Sequence, residues 1–289
     1  MKIRKILSAA ILMSAFNTMA VDKVVYGEDN RLDLFEVERA LHLDLASSTA
    51  GMIPNYRVED LNDGTVKLSG SKLSVCSGEK FNGQLTAANC SGFLVGHKGK
   101  QYMVTAGHCV TSQSACKDSK WVFDYKMNEA GQQEHIISKN SVYSCKRLVE
   151  RKLISSTKDD YAVIELDREV TDRAALNIRY EGEIEVGEEV LVIGHPTGLP
   201  TKVAGDAFVR DASRSKYFET NLDTFAGNSG SAVFNAASGT VEGILVRGHT
   251  DYEWKRVNGK SCKAPVYCQM DSCRGEDVTK ITSIDFFQN

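Results

Sequence analysis

Proline is scarce, with four in 289 residues, and the 23 glycines do not make up the shortfall of a collagenous or proline-rich chain. Neither sign of charge prevails: 35 Lys and Arg stand against 38 Asp and Glu, for a formal net charge of −3. That balance excludes a chain built to hold nucleic acid and equally an acidic solvating tail. Beyond the N-terminus no apolar run reaches bilayer-spanning length, so no membrane span is expected. No Cys-x-x-Cys occurs, which removes the usual zinc spacing, and neither a metal nor another cofactor is expected. Internal repeats and low-complexity tracts are also missing.

What remains is an ordinary globular composition, 25% charged and 42% hydrophobic. The length suits one large domain or two of about 100–150 residues each. A core of that size does not need staples. The eight cysteines therefore point to an oxidising compartment rather than to a missing core. Lys2, Arg4 and Lys5 precede a short apolar stretch at 6–16, and small residues Thr18 and Ala20 follow. This is the pattern of a signal peptide over 1–20, hence a secreted or periplasmic protein. Its removal leaves the mature chain three units more negative.

Short apolar segments separated by Gly, Asn, Asp and Ser read as an all-β chain, sandwich or barrel. Strand candidates in one half are 50–53, 64–68, 92–95, 102–106, 121–125, 141–148 and 161–166. In the other half they are 189–194, 202–209, 217–221, 232–235, 241–246 and 265–269. Helical periodicity is confined to 35–45 and 278–287, and 171–183 reads as a linker between halves.

Three places carry chemistry. In Gly227-Asn228-Ser229-Gly230-Ser231 the glycines permit a tight turn, and the amides of Gly227 and Ser229 can converge on a developing oxyanion. By itself such a run is more often an ordinary turn. In Thr105-Ala106-Gly107-His108-Cys109 an apolar strand enters a turn of small residues and delivers a histidine, the usual general base at neutral pH. Asp159 and Asp160 stand at the mouth of the apolar strand 161–166, where a buried carboxylate would orient an imidazole; Asp160, adjacent to the strand, is preferred.

Joined in the order His, Asp, Ser on a two-half all-β chain, these motifs resemble the chymotrypsin/trypsin-like serine peptidases. The Gly-Asn-Ser-Gly-Ser form is most similar to the bacterial branch that includes the glutamyl endopeptidases. The resemblance implies two six-stranded antiparallel β-barrels with a short C-terminal helix and catalytic groups in the cleft between them. On that basis 21–85 is an N-terminal segment with possible pro-residues, partly first barrel. Residues 86–180 form the first barrel with His108 and Asp160, and 181–289 form the second with Ser229. The implied activity is peptide-bond hydrolysis by a His108–Asp160–Ser229 triad, with an oxyanion hole at Gly227 and Ser229. The partner is a protein or peptide substrate.

The resemblance places Val246, Arg247 and Gly248 beside the substrate and Asp223 at the floor of the P1 pocket, which favours Lys or Arg at P1. Glu or another P1 residue, and a catalytically silent binding protein on the same fold, remain open. His249, the residue that favours Glu, is expected at the surface. The resemblance also supports a Cys90–Cys109 disulfide beside the histidine. Cys116–Cys145 is a further pairing, and Cys76 is left for one of Cys262, Cys268 and Cys273. Two departures stand out. Asn228 replaces the Asp that switches on the animal digestive zymogens, although an amine freed after Lys23 has Asn228 as a possible partner. Val246 replaces the Ser that supports the catalytic Asp.

Overall fold

The computed structural model describes residues 24–288; the signal-peptide expectation falls outside them. Twelve strands build two barrels. The first uses β1 (Thr49–Pro54), β2 (Cys90–His97), β3 (Lys100–Thr105), β4 (Ser119–Val122), β5 (Val142–Ile154) and β6 (Asp159–Leu166). They close in the order β4-β5-β6-β3-β2-β1, with β1 returning to β4. The second uses β7 (Glu189–Gly194), β8 (Lys202–Asp211), β9 (Tyr217–Thr220), β10 (Ala232–Asn235), β11 (Val241–Arg247) and β12 (Glu276–Lys280). Its order is β7-β10-β11-β12-β9-β8, closed by β7 against β8. Every pairing within the two barrels is antiparallel.

Period-two alternation explains how the barrels meet. On β6, Ala162 and Ile164 fill the first barrel, whereas Tyr161 and Val163 point outward. On β7, Val190 and Val192 fill the second barrel, and Leu191 and Ile193 point outward. The outward sets join one apolar cluster that also holds Phe93, Val104, Phe234 and Ile244. Strands buried on both faces read as continuous apolar runs, and the seam between the barrels is itself core.

Two local expectations change. The C-terminal helix is only Asp285–Gln288, and Val278 lies on β12, a strand that is buried at all five positions. The sixth strand of the second barrel is this one, not 265–269; there Tyr267–Cys268 is a short strand outside the barrel, parallel to Val25–Tyr26, and just before it lies a hairpin, Tyr252–Val257 with Lys260–Pro265. The helix expected at 35–45 begins later, at Ala40–Ser47. The N-terminal segment serves both halves. Leu32–Asp33 adds an antiparallel edge to β8, and Thr49–Pro54 opens the first barrel.

The eight cysteines form four disulfides: Cys76–Cys262, Cys90–Cys109, Cys116–Cys145 and Cys268–Cys273. Cys76–Cys262 spans 186 residues and ties the outer hairpin to the N-terminal region.

Candidate active site

His108 sits on the turn after β3. Gly107 packs so closely that a Cβ there would lie 2.2 Å from the Lys152 carbonyl oxygen. On the other side, the Cys90–Cys109 bridge fastens the turn to β2. Closing a loop with a sequence separation of 19 contributes about 3 kcal/mol. The turn delivers His108 to one carboxylate twice. Its backbone N–H donates to Asp160 Oδ1 at 3.0 Å, and its Nδ1–H donates to Asp160 Oδ2 at 2.8 Å. An ionised carboxylate only accepts, so the ring proton belongs on Nδ1 and Nε2 is left as a base. The carboxylate is buried, at 4% exposure, and the imidazole is open at 26%. Asp159 turns away, toward Thr157 Oγ1 at 2.5 Å and Lys216 Nζ at 3.7 Å.

The support of Asp160 differs from the Ser of the resembled family. Val246 is buried, and the next residue supplies the polar neighbour: Arg247 Nη1 stands 3.8 Å from Asp160 Oδ2. The guanidinium is anchored by Asp277 Oδ2 at 2.8 Å and by the Lys158 carbonyl at 3.0 Å. Arg247 was expected beside the substrate; its polar head points back toward the carboxylate of the His–Asp pair.

Ser229 lies on the loop between β9 and β10 and is brought to the histidine turn by close backbone packing. At Gly230 (φ +88°), an added Cβ would fall 2.1 Å from Thr105 Oγ1, 2.2 Å from the Ser91 carbonyl oxygen and 3.0 Å from the Ala106 nitrogen. Only glycine permits that approach. The Ser loop therefore rests on Thr105 and Ala106, just ahead of His108. The peptide ahead of Gly227 is also fixed. The Ala226 carbonyl accepts from Thr197 N–H at 2.5 Å, so the trans amide aims the Gly227 N–H the other way.

Ser91, which sequence reasoning passed over, fastens these parts together. Its N–H donates to the Ser229 carbonyl at 2.9 Å and its Oγ–H to the Gly227 carbonyl at 2.8 Å. Its Oγ accepts from His195 N–H at 2.9 Å, and its carbonyl accepts from Thr105 Oγ1 at 2.7 Å. Nothing but its place after Cys90 hinted at this. Ser91→Ala orphans a buried carbonyl and a buried amide, at about 1–3 kcal/mol each. Denaturant melts should show that loss together with a lower kcat; a variant as stable and active as the wild type would mean that Ser91 does not hold the Ser loop.

His195 underlies the same loop as a turn residue. It is fully buried, stacked on Tyr125 with ring centroids 5.5 Å apart, and its Nδ1–H donates to the Leu199 carbonyl at 2.9 Å. Burial pushes its pKa down to about 4. The unfolded chain takes up that proton near pH 6.5. The neutral ring therefore contributes its full stability above about pH 6.5, and this is lost as pH falls toward 4. Melting temperatures measured from pH 7 to 4 should fall less steeply in His195→Gln than in the wild type.

Of the residues expected around the substrate, Asp223 is buried with both oxygens turned to the N-terminal segment. Oδ1 accepts from Tyr26 N–H at 2.7 Å and Oδ2 from Asn30 N–H at 2.8 Å. Burial raises its pKa to about 7 against the pull of these two amides. Val24, just upstream, accepts from Thr224 N–H at 3.2 Å, while Asn228 Oδ1 accepts from Ser231 Oγ at 3.3 Å. Gly248 follows directly after β11, and its carbonyl accepts from Arg274 Nη1 at 2.9 Å. His249 is half-buried rather than at the surface, with its N–H 3.3 Å from Glu276 Oε1. Cys90, His108 and Cys109 place three ligand-type atoms within 4.8 Å of one another. The two sulfurs are bonded to each other, so they offer no thiolate to a metal.

The model of the trypsin-like peptidase domain matches residues 90–244, from the start of β2 into β11. No curated protein matches the chain. Among solved structures, a Glu endopeptidase in complex with MPD is 18% identical, with 84% of this chain and 93% of that one covered and a TM-score of 0.48. The active form of the Rv3671c protease from M. tuberculosis is 13% identical, with 96% and 92% covered and a TM-score of 0.48. The serine endoprotease from Yersinia pestis is 20% identical, with 73% and 58% covered and a TM-score of 0.41. Since the family model takes in more than half of the chain, the chain belongs to the trypsin-like serine peptidases.

Proposed function

We propose that this protein is an exported serine endopeptidase that works through His108, Asp160 and Ser229 and prefers Lys or Arg at P1. The observation that carries the reading is the double grip of Asp160 on His108, which leaves Nε2 as the basic nitrogen beside the Ser229 loop. Ser229 Oγ attacks the scissile carbonyl carbon while His108 Nε2 takes its proton. The oxyanion is held by the N–H groups of Gly227 and Ser229. As the intermediate collapses, the C–N bond breaks, the imidazolium protonates the leaving amine, and an acyl-enzyme remains. Water, deprotonated by Nε2, then attacks the ester carbonyl carbon; as this second intermediate collapses the C–Oγ bond breaks, the imidazolium returns the proton to Ser229 Oγ, and the acid product leaves.

Basic P1 preference is supported by Asp223, a buried acid on the Ser loop. A buried carboxylate is costly unless a cation meets it. Four disulfides support an oxidising destination, outside the cell or in the periplasm. Among the described residues no helix is long and apolar enough to cross a membrane.

Digestion of a peptide library tests activity and specificity together. Cuts should fall after Lys and Arg and vanish in Ser229→Ala. Cuts after Glu or after large apolar residues would contradict the P1 assignment, and a folded, processed protein that cuts nothing would favour a silent binding relative.

A further inference from the structure

The hairpin Tyr252–Val257 with Lys260–Pro265 stands outside both barrels. Asn258 and Gly259, both at positive φ, close it as a two-residue turn. Its root is fixed to the Ser loop. Asp251 Oδ2 accepts from Ala226 N–H at 2.9 Å, and the Tyr252 ring packs on Phe225 with centroids 5.0 Å apart. The Tyr252 hydroxyl lies 2.7 Å from Thr197 Oγ1. Along the second strand, Cys76 bonds to Cys262 and donates its N–H to the Lys263 carbonyl at 2.7 Å. Charge is concentrated on this hairpin. Lys255, Arg256, Lys260 and Lys263 stand against Glu253 alone, a net +3 on a chain whose formal net charge is −3. Lys255 meets Glu253 at 3.1 Å. Arg256 Nε donates to the Gly259 carbonyl at 3.3 Å, and Lys263 lies 5.7 Å over the Trp254 ring. Trp254 itself is 69% exposed.

One edge of the hairpin is open. Val257 and Lys260, beside the turn, form a hydrogen-bonded pair, and alternation then turns the backbone groups of Trp254 and Arg256 outward. Pro265 fits this register, because its position opposite Tyr252 calls for no N–H. Among the described residues no third strand pairs with Tyr252–Val257. We propose that an extended, acid-rich segment of a protein substrate docks there as a third strand; this rests on the serine endopeptidase reading above. Side chains of an added strand fall alternately on the two faces. One face carries Arg256 and Lys263 and the other Lys255 and Lys260, so acids at successive positions all meet cations. An anionic lipid surface fits less well. The tip is Asn258-Gly259, Trp254 lies in mid-strand, and cations on two opposite faces do not lie on one plane. Because the root is fixed to the Ser loop, docking raises the local concentration of the scissile bond and acts through KM.

Trp254 gives a direct readout of binding, because the other tryptophan, Trp121, is 1% exposed. In Ser229→Ala, where nothing is cut, a glutamate-rich peptide should change Trp254 fluorescence saturably, and added salt should reverse the change. A glutamine-rich peptide should have no effect, and N-methylation of alternate backbone amides should weaken the glutamate-rich one. In the active protein, a plain peptide is compared with the same peptide extended, on either side through a flexible linker, by the glutamate-rich run. The extension should lower KM about 10-fold from one of the two sides, with kcat unchanged. Replacing Lys255, Arg256, Lys260 and Lys263 together by Gln should abolish that advantage while kcat/KM on the plain peptide holds. If that variant does not fold, the wild type at raised salt reads the same loss. No response of Trp254, equal binding of the N-methylated peptide, or a KM advantage that survives the four substitutions would overturn the proposal. A response to vesicles of phosphatidylglycerol and phosphatidylcholine but not to the peptide would also overturn it, in favour of a lipid surface. A folded protein that cuts neither peptide fails the endopeptidase reading, and the titration in Ser229→Ala still decides the docking surface.

Discussion

Asp160→Asn should lower kcat on a good peptide substrate by on the order of 10⁴-fold while the protein remains folded. The geometry gives the reason. Asp160 accepts from His108 through both oxygens, one for the backbone N–H and one for Nδ1–H. Asn has a single acceptor oxygen. If that oxygen keeps the backbone bond, its NH2 group faces Nδ1 and drives the ring proton to Nε2. The nitrogen that must take the Ser229 proton is then already protonated. The hydrogen bond persists with its direction reversed but loses its charged acceptor, at about 1–2 kcal/mol, which a denaturant melt resolves from the kinetic effect. A kcat within tenfold of the wild type would mean that His108 does not depend on Asp160 for its tautomer.

Gly230→Ala should do comparable damage by a different route. The residue combines a φ of +88° with a Cβ position 2.1 Å from Thr105 Oγ1 and 2.2 Å from the Ser91 carbonyl oxygen. The Thr105 hydroxyl is already committed to that carbonyl at 2.7 Å, and the other obstacle is backbone. Neither can withdraw cheaply, so either the Ser loop lifts from the histidine turn or the barrels separate there. A cost above about 4 kcal/mol is expected, with activity and fluorophosphonate labelling both lost. Gly205→Ala is the control: its nearest neighbour is Leu191 Cβ at 3.8 Å, and a small effect is expected. If both variants behave alike, close packing at Gly230 is not what docks the loop.

The motifs that were legible in the sequence share a property: their partners are close in the chain or their strands are apolar. The histidine turn follows an apolar strand and precedes a cysteine. The acid stands at the head of β6, whose residues are buried on both faces. Strand β12 was illegible because four of its five residues, Glu276, Asp277, Thr279 and Lys280, are polar and yet buried. Several of their partners lie far away in sequence: Asp277 meets Arg247 as well as nearby Arg274, and Lys280 meets Glu183 at 2.5 Å. Without knowledge of those pairs, a polar run before an apolar tail reads as an amphipathic helix. The same distance hid Arg247 as a neighbour of Asp160 and Ser91 as the clasp of the Ser loop. The outer hairpin over 252–265 carries mostly exposed residues, so no burial pattern marks it.

Ser229 is proposed as a nucleophile activated by His108. Its most direct test is reaction of the folded, processed protein with a fluorophosphonate, followed by peptide mapping by mass spectrometry. One phosphonyl group should be found on Ser229, with labelling abolished in Ser229→Ala and strongly slowed in His108→Ala. Failure of the folded wild type to label, or labelling at another residue, would contradict it.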